Sequence, residues 1–393
     1  MKEITQGVQT VALVMLGIAA IPLTMNQCAE MDARKRQAAR ADQHAVLGAA
    51  ALEANDPALA AAAYAQAVSF SPLEPALRDG LLRAHVEQIL ADAQGINAGN
   101  AVQLQAELAG AMLDASDPDA RTLLAYGRVL QYRGRSDDAR AQFKKAVEKA
   151  PELAIGHLLL GDALLKAGEY EAAAAALNKS LELDPAQALA EFALGQVRVQ
   201  QEKWEEAARL LENASRTVRS PQLYVSLGRA EAAREKWDKA QAALEKAVAL
   251  DPNQASAYEP LGDAYLQNNR VEPALKAYQA SWERGRSIDA LRKLARLHQR
   301  LQQWERAGDL FAQLRTLEPS DPEPHCGIGT SADNTGQVDL AIAAYNRCAQ
   351  LAAKSAEHAE MGQKAQLRAG ALQRALEEAK DKKADEKAKP KPR

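Results

Sequence analysis

A chain of 393 residues with a formal net charge of −3 and basic residues interleaved with acidic ones has no broad cationic surface, which excludes nucleic acid as a main partner. Three cysteines are too few for the disulfide framework of a small secreted domain. Abundant alanine, 4% aromatic residues and no period-two runs of Val, Ile and Thr exclude a sheet and predict an all-α fold.

Residues 1–7 form a polar segment in which Lys2 is offset by Glu3. Residues 8–25 carry no charge and include Val11, Leu13, Val14, Leu16, Ile18, Ile21 and Leu23, a length at the short end of what spans a bilayer as a helix. The expectation is a single-pass N-terminal membrane anchor; a cleaved secretory signal ending near Gly17-Ile18-Ala19 and a helix buried against protein are the alternatives. Cys28 follows Asn26-Gln27 rather than two small residues, which argues against a lipoprotein. Residues 26–40 read as a basic juxtamembrane segment with Arg34, Lys35, Arg36 and Arg40, so positive-inside logic favours a cytoplasmic repeat domain. A short segment before a single anchor argues for the periplasmic side instead.

Residues 41–119 contain one apparent repeat, with Leu47-Gly48, Ala60, Tyr64, Ala67 and Pro72, then a stretch where spacing slips. There Leu77, Leu81, Leu82, Val86, Ile89 and Leu90, and after a turn-rich 93–100 Val102, Leu104, Leu108, Met112 and Leu113, predict a longer helical hairpin with an expanded loop. From residue 120 a period is plain: Gly127, Gly161, Gly195, Gly228, Gly262, Ala295 and Gly329 recur at steps of 33 or 34 residues. Alanine follows at Ala139, Ala173, Ala207, Ala240, Ala274, Ala307 and Ala341, then a large side chain at Phe143, Leu177, Leu211, Leu244, Tyr278, Phe311 and Tyr345. Pro151, Pro185, Pro252 and Pro319 close most units, with Pro221 two residues late. Small residues let two helices approach, the large residue fills the space beside them, and proline stops the second helix.

The pattern resembles the tetratricopeptide repeat family, in which W-x-x-L-G-x-x-Y is followed by A-x-x-x-F and a closing proline. Its clearest copies here are Leu160-Gly161, Leu227-Gly228 and Leu261-Gly262-Asp263-Ala264-Tyr265, with Tyr224 and Tyr258 in the tryptophan slot. The resemblance implies a right-handed α-solenoid of stacked antiparallel helix pairs, about eight to nine units, seven of them in 120–355. Two positions depart from it: Arg286 stands for the closing proline, where Gly285 is expected to end the helix in a left-handed conformation, and Ala295 stands for glycine. Residues 356–380, with Met361, Leu367, Leu372 and Leu376 along one side, are expected to cap the array, and the Lys/Pro-rich 381–393 to be a disordered tail.

No Walker A loop, H-E-x-x-H, C-x-x-C or G-x-S-x-G occurs, so no catalytic, cofactor or metal residues are expected. Gly327-Ile328-Gly329 through Ala332 matches a dinucleotide fingerprint only by coincidence with the repeat glycine. The histidines His44, His85, His157, His298, His325 and His358 lack ligand spacing. Cys326 and Cys348 fall in the two helices of one unit, where they could bridge, or Cys348 could simply fill the small-residue slot of Ala146, Ala214 and Ala247.

By the resemblance, positions two, five, nine and twelve of each first helix line a concave groove. These are Ile155, Leu158, Asp162 and Leu165 in one unit and Leu189, Phe192, Gln196 and Val199 in the next, an apolar stretch, unless Leu158, Leu165 and Val199 pack between repeats instead. Glu259 and Asp263 then make an acidic step, and Arg292, Arg296 and Gln299 a basic one. The Lys and Asn set by which chaperone-binding relatives clamp a terminal carboxylate is absent. The expected function is a membrane-tethered scaffold, not an enzyme, that holds a protein or peptide in this groove for an envelope complex. An accessory subunit of an enzyme such as a glycosyltransferase, or a periplasmic cell-wall or outer-membrane assembly factor, is the alternative.

Overall fold

The computed structural model describes residues 25–91, 101–114 and 118–388. Among these, every long element is a helix, and the two helices of each repeat pack as an antiparallel hairpin. By contact the chain forms two compact units, one up to Pro185 and one from Ala186. The first contains α1 (Met25–Glu53), α2 (Pro57–Phe70), α3 (Pro75–Ala91), α4 (Ala101–Asp114), α5 (Ala120–Tyr132), α6 (Ser136–Lys149), α7 (Ala154–Lys166) and α8 (Tyr170–Leu183). The second contains α9 (Ala188–Gln200), α10 (Trp204–Ala214), α11 (Pro221–Ala233), α12 (Trp237–Leu250), α13 (Ala255–Gln267), α14 (Val271–Gly285), α15 (Ile288–Arg300), α16 (Trp304–Leu317), α17 (Pro322–Asn334), α18 (Val338–Ala352) and α19 (Ala359–Ala388).

The periodic glycine is where the hairpins close. A Cβ placed on Gly161 would stand 2.5 Å from Cγ of Leu177, on Gly195 2.7 Å from Cγ of Leu211, and on Gly262 2.5 Å from Cε1 of Tyr278. The large residue of the second helix therefore lies directly on the bare backbone of the first, and Leu177, Leu211 and Tyr278 are at most 1% exposed. Each hairpin turns through one left-handed residue, glycine at Gly134, Gly168 and Gly336 but Glu202, Glu235, Asn269 and Gln302 elsewhere, a second period of 33 or 34 residues. A further recurrence ties the loops: His157 and Tyr258, at the tryptophan slot, hydrogen-bond the carbonyls of Pro151 at 2.8 Å and Pro252 at 2.7 Å.

The two departures resolve differently from expectation. Arg286, with φ of 52°, and not Gly285, takes the left-handed conformation that ends α14, and its guanidinium stacks over Trp282 at 5.1 Å. Gly285 instead admits Ala255, whose Cβ would lie 2.8 Å from a Cβ at 285. In the hairpin with Ala295, the ring of Phe311 lies on Gly327 of the next first helix. The Gly327-x-Gly329 pair is thus explained by packing, since Gly329 receives Tyr345 of its own hairpin.

In the first unit, α3 and α4 both pack on α5, and Ile89, Leu104, Leu108, Leu123 and Phe143 share one core. In the second unit, α19 covers α18 through Met361, Ala365, Ala369 and Leu372 and continues to Ala388, eight residues past the end expected for the cap, into part of the segment read as a tail. Cys326 and Cys348 form a disulfide that joins α17 to α18, with Cα atoms 5.3 Å apart.

The expected membrane anchor is corrected. Among the described residues no helix is long and apolar enough to cross a membrane. Of the stretch 8–25, residues 8–24 lie outside the described residues, and Met25 opens α1, whose residues 29–40 are exposed throughout. Loop 93–100 and residues 389–393 are likewise outside the described residues.

Candidate functional site

Two of the expected groove residues are core. Leu158 is 8% exposed and Val199 5%, both turned into the packing between helices, because position five or twelve of a first helix also touches its neighbour when its side chain is apolar. Ile155 and Phe192 are half-buried against the cores of the first and second units respectively, and Gln196 is half-buried. Leu189 is 54% exposed. Asp162, in the first unit, accepts from Lys166 at 2.7 Å and Gln131 at 3.3 Å.

The acidic and basic steps meet each other. Lys293 reaches back from α15 to α13, donating to Glu259 at 2.9 Å and Asp263 at 2.7 Å. Ser287 also donates to Glu259 and Tyr278 to Asp263, each at 2.7 Å. Arg292 lies among carboxylates, paired with Glu318, with Asp289 and Asp321 at 3.1 Å and with Glu323 at 3.2 Å. Arg296 holds Glu323 through two bonds of 2.5 and 2.7 Å. Burial raises the Glu259 carboxyl, but the hydrogen bonds from Lys293 and Ser287 outweigh it and hold the group below its ordinary range. Burial likewise works against the charge of Lys293 and Arg292, and the surrounding carboxylates more than restore it.

These contacts frame a cleft of about 960 Å³ that also carries Arg347, Lys354 and His358. The charges from Glu259 to Arg296 therefore neutralise one another between hairpins instead of waiting for a ligand. Reading positions two, five, nine and twelve alone misses Lys293 at position six and the loop acids Glu318 and Asp321. Their signal was present in the sequence as opposite charges about one repeat apart, Glu259 and Lys293 being 34 residues apart.

A second cleft of about 880 Å³ is different in kind. It is lined on one side by Val225, Arg229, Ala232 and Ala233 of α11 and on the other by Ser256, Glu259, Pro260, Asp263 and Leu266 of α13, with Trp204 and Trp237 opening the second helices beside them. Both tryptophans are half-buried, packed partly into neighbouring cores and partly facing the cleft. Pro260 inside α13 withdraws the amide that would otherwise engage the Ser256 carbonyl on the same wall. Arg229 is exposed and, among the described residues, makes no ion pair. The apolar surface and this guanidinium are what the cleft offers; Val225, itself largely buried, Arg229 and Ala232 occupy groove positions five, nine and twelve that the apolar and charged steps passed over.

Among the described residues no group of His, Cys, Asp and Glu is arranged to hold a metal ion. Tetratricopeptide repeat models match residues 124–188 and 292–356, a TPR repeat model 228–269, and a further tetratricopeptide repeat model 192–223. A comparison with curated proteins gives no match. Among solved structures, YrrB, described as a TPR protein with an unusual peptide-binding site, is 27% identical, covering 45% of this chain and 92% of its own, with a TM-score of 0.41. PilF of Pseudomonas aeruginosa is 24% identical over 51% of this chain and 92% of its own, at 0.45. MamA of Desulfovibrio magneticus RS-1 is 24% identical over 44% and 98%, at 0.38. With the matched models spanning just over half of the residues, and the repeat glycines seated under their large partners throughout, the chain belongs to the tetratricopeptide repeat family.

Proposed function

We propose that this chain is a non-catalytic scaffold that holds a protein or peptide partner against the first helices of its second unit, in the cleft between α11 and α13. Repeats of this family make a protein-binding scaffold, and the observation that carries the finer assignment is a contrast between two clefts. In the larger, the charged groups of the first helices, Glu259, Asp289, Arg292, Lys293, Arg296 and Glu323, are taken up by ion pairs within the chain. The smaller keeps apolar surface and the exposed guanidinium of Arg229, which makes no ion pair among the described residues, in a lining that includes two tryptophans. A partner gains most where it covers apolar area and meets a charge that no internal ion pair holds. The expectation of an envelope complex rested on the anchor and is not carried forward.

The test is site-specific photo-crosslinking in cells. A benzophenone side chain at Ala233, exposed on the cleft, should capture a discrete partner that the same group at Ala249, exposed on the second helix α12, does not. Equal capture from both positions, or capture from Ala249 alone, would contradict the assignment.

A further inference from the structure

We infer that the α11–α13 cleft selects a peptide segment in which a bulky apolar side chain stands beside a carboxylate, with Arg229 as the specificity-determining residue. The inference rests on the groove reading above and adds the chemistry of the occupant.

The apolar half of the recognition is set by the lining. Ala232, Ala233 and Leu266 share the lining with Trp204, Trp237 and the largely buried Val225, so small and branched side chains stand in one slot with two aromatic ones. Such a slot favours a leucine or aromatic side chain, which loses most of its contact with water there. A volume of about 880 Å³ holds that side chain together with the backbone that carries it.

The charged half follows from which groups are already engaged. Glu259 and Asp263 face the cleft, but Lys293, Ser287 and Tyr278 donate to them. The neighbouring guanidiniums are also taken: Arg198 pairs with Glu206 at 2.7 Å, and Arg234 with Glu231 at 2.9 Å and Glu205 at 2.6 Å. Arg229, one turn after Val225 on α11, makes no ion pair among the described residues, yet its charge reaches Glu259 strongly enough to help lower that carboxyl. A basic partner would meet Arg229 unfavourably and find the two acids engaged. An acidic one completes Arg229 with a charge-assisted, two-pronged bond while its apolar neighbour covers the apolar lining.

The experiment is selection of a random-peptide display library on the full chain, followed by binding of fluorescein-labelled synthetic copies of the selected peptides. The expected result is enrichment of Leu, Phe or Trp with Asp or Glu within two residues. Replacing that acid by its amide, or Arg229→Ala, should weaken binding roughly tenfold without changing the melting curve. Arg229→Glu should turn the preference toward Lys and Arg. Peptides that Ala233→Trp blocks but that carry no acidic preference, and that ignore Arg229→Glu, would overturn the inference and leave the groove standing. Peptides indifferent to Ala233→Trp, or no enrichment at all, would overturn both.

Discussion

Gly327→Ala probes how the array absorbs Ala295 in the glycine slot. A Cβ at 327 would lie 2.5 Å from Cε2 of Phe311 and nearer still to Cγ and Cδ2, against an ordinary contact of about 3.4–4 Å, so the ring must retreat by about 1 Å. Phe311 is 1% exposed and packed with Leu291, Ala307 and Leu314, which leaves it no vacant space to enter. Overpacking of this kind costs about 1–3 kcal/mol, and the better helix propensity of alanine returns about 1 kcal/mol, for a net loss of up to about 2 kcal/mol. Gly370→Ala is the control, because a Cβ there meets nothing within 4 Å and should add up to about 1 kcal/mol. Because stacked repeats need not unfold in one step, the assay is hydrogen exchange of the α16 and α17 amides alongside urea unfolding. In a Phe311→Ala background, itself less stable, Gly327→Ala should change sign and stabilise. A Gly327→Ala as stabilising as Gly370→Ala, with Phe311 intact, would refute the reasoning.

Three further outcomes are expected. Lys293→Met leaves Glu259 and Asp263 without their shared cation; with these side chains about a third exposed, solvent screening limits the loss to about 1 kcal/mol, and NMR titration should show the Glu259 carboxyl rising. Since Glu259 titrates below its unfolded value of about 4.3, its contribution is complete above that pH and disappears as pH falls through the folded value; acid unfolding of the second unit should therefore be blunted in Lys293→Met. Reduction, or the paired Cys326→Ser and Cys348→Ser change, opens a loop of sequence separation 22 and should destabilise α17 to α19 by about 3 kcal/mol, read as faster amide exchange there and unchanged exchange in α9 to α12. Serine is tolerated at 348, because Ser180 fills the same slot fully buried and donates to Ala154 at 2.8 Å.

Most of the fold was legible because repetition turns packing into a visible period. Glycine, alanine and the large residue recur at fixed offsets, and each offset corresponds to a contact. The left-handed turn residue escaped notice for the opposite reason: glycine, asparagine, glutamate and glutamine share that slot, so conformation repeats while residue identity does not. The packing role of Gly327 was not legible because its partner, Phe311, belongs to the preceding hairpin. The site was less legible. The groove positions fall on first helices but are silent on partners, and pairing between hairpins depends on residues such as Lys293 and Asp321 that lie just off those positions. Leu158 and Val199 illustrate the same limit for apolar residues, whose periodicity marks burial and exposure on a concave face alike.

Hydrogen exchange of the full chain with and without a saturating display-selected peptide tests the central claim most directly. The account predicts slowed exchange in α11 and α13, residues 221–233 and 255–267, with the ion-paired α15 and α17 unchanged. Protection confined to α15 and α17, or to the second helices of the hairpins, would contradict it.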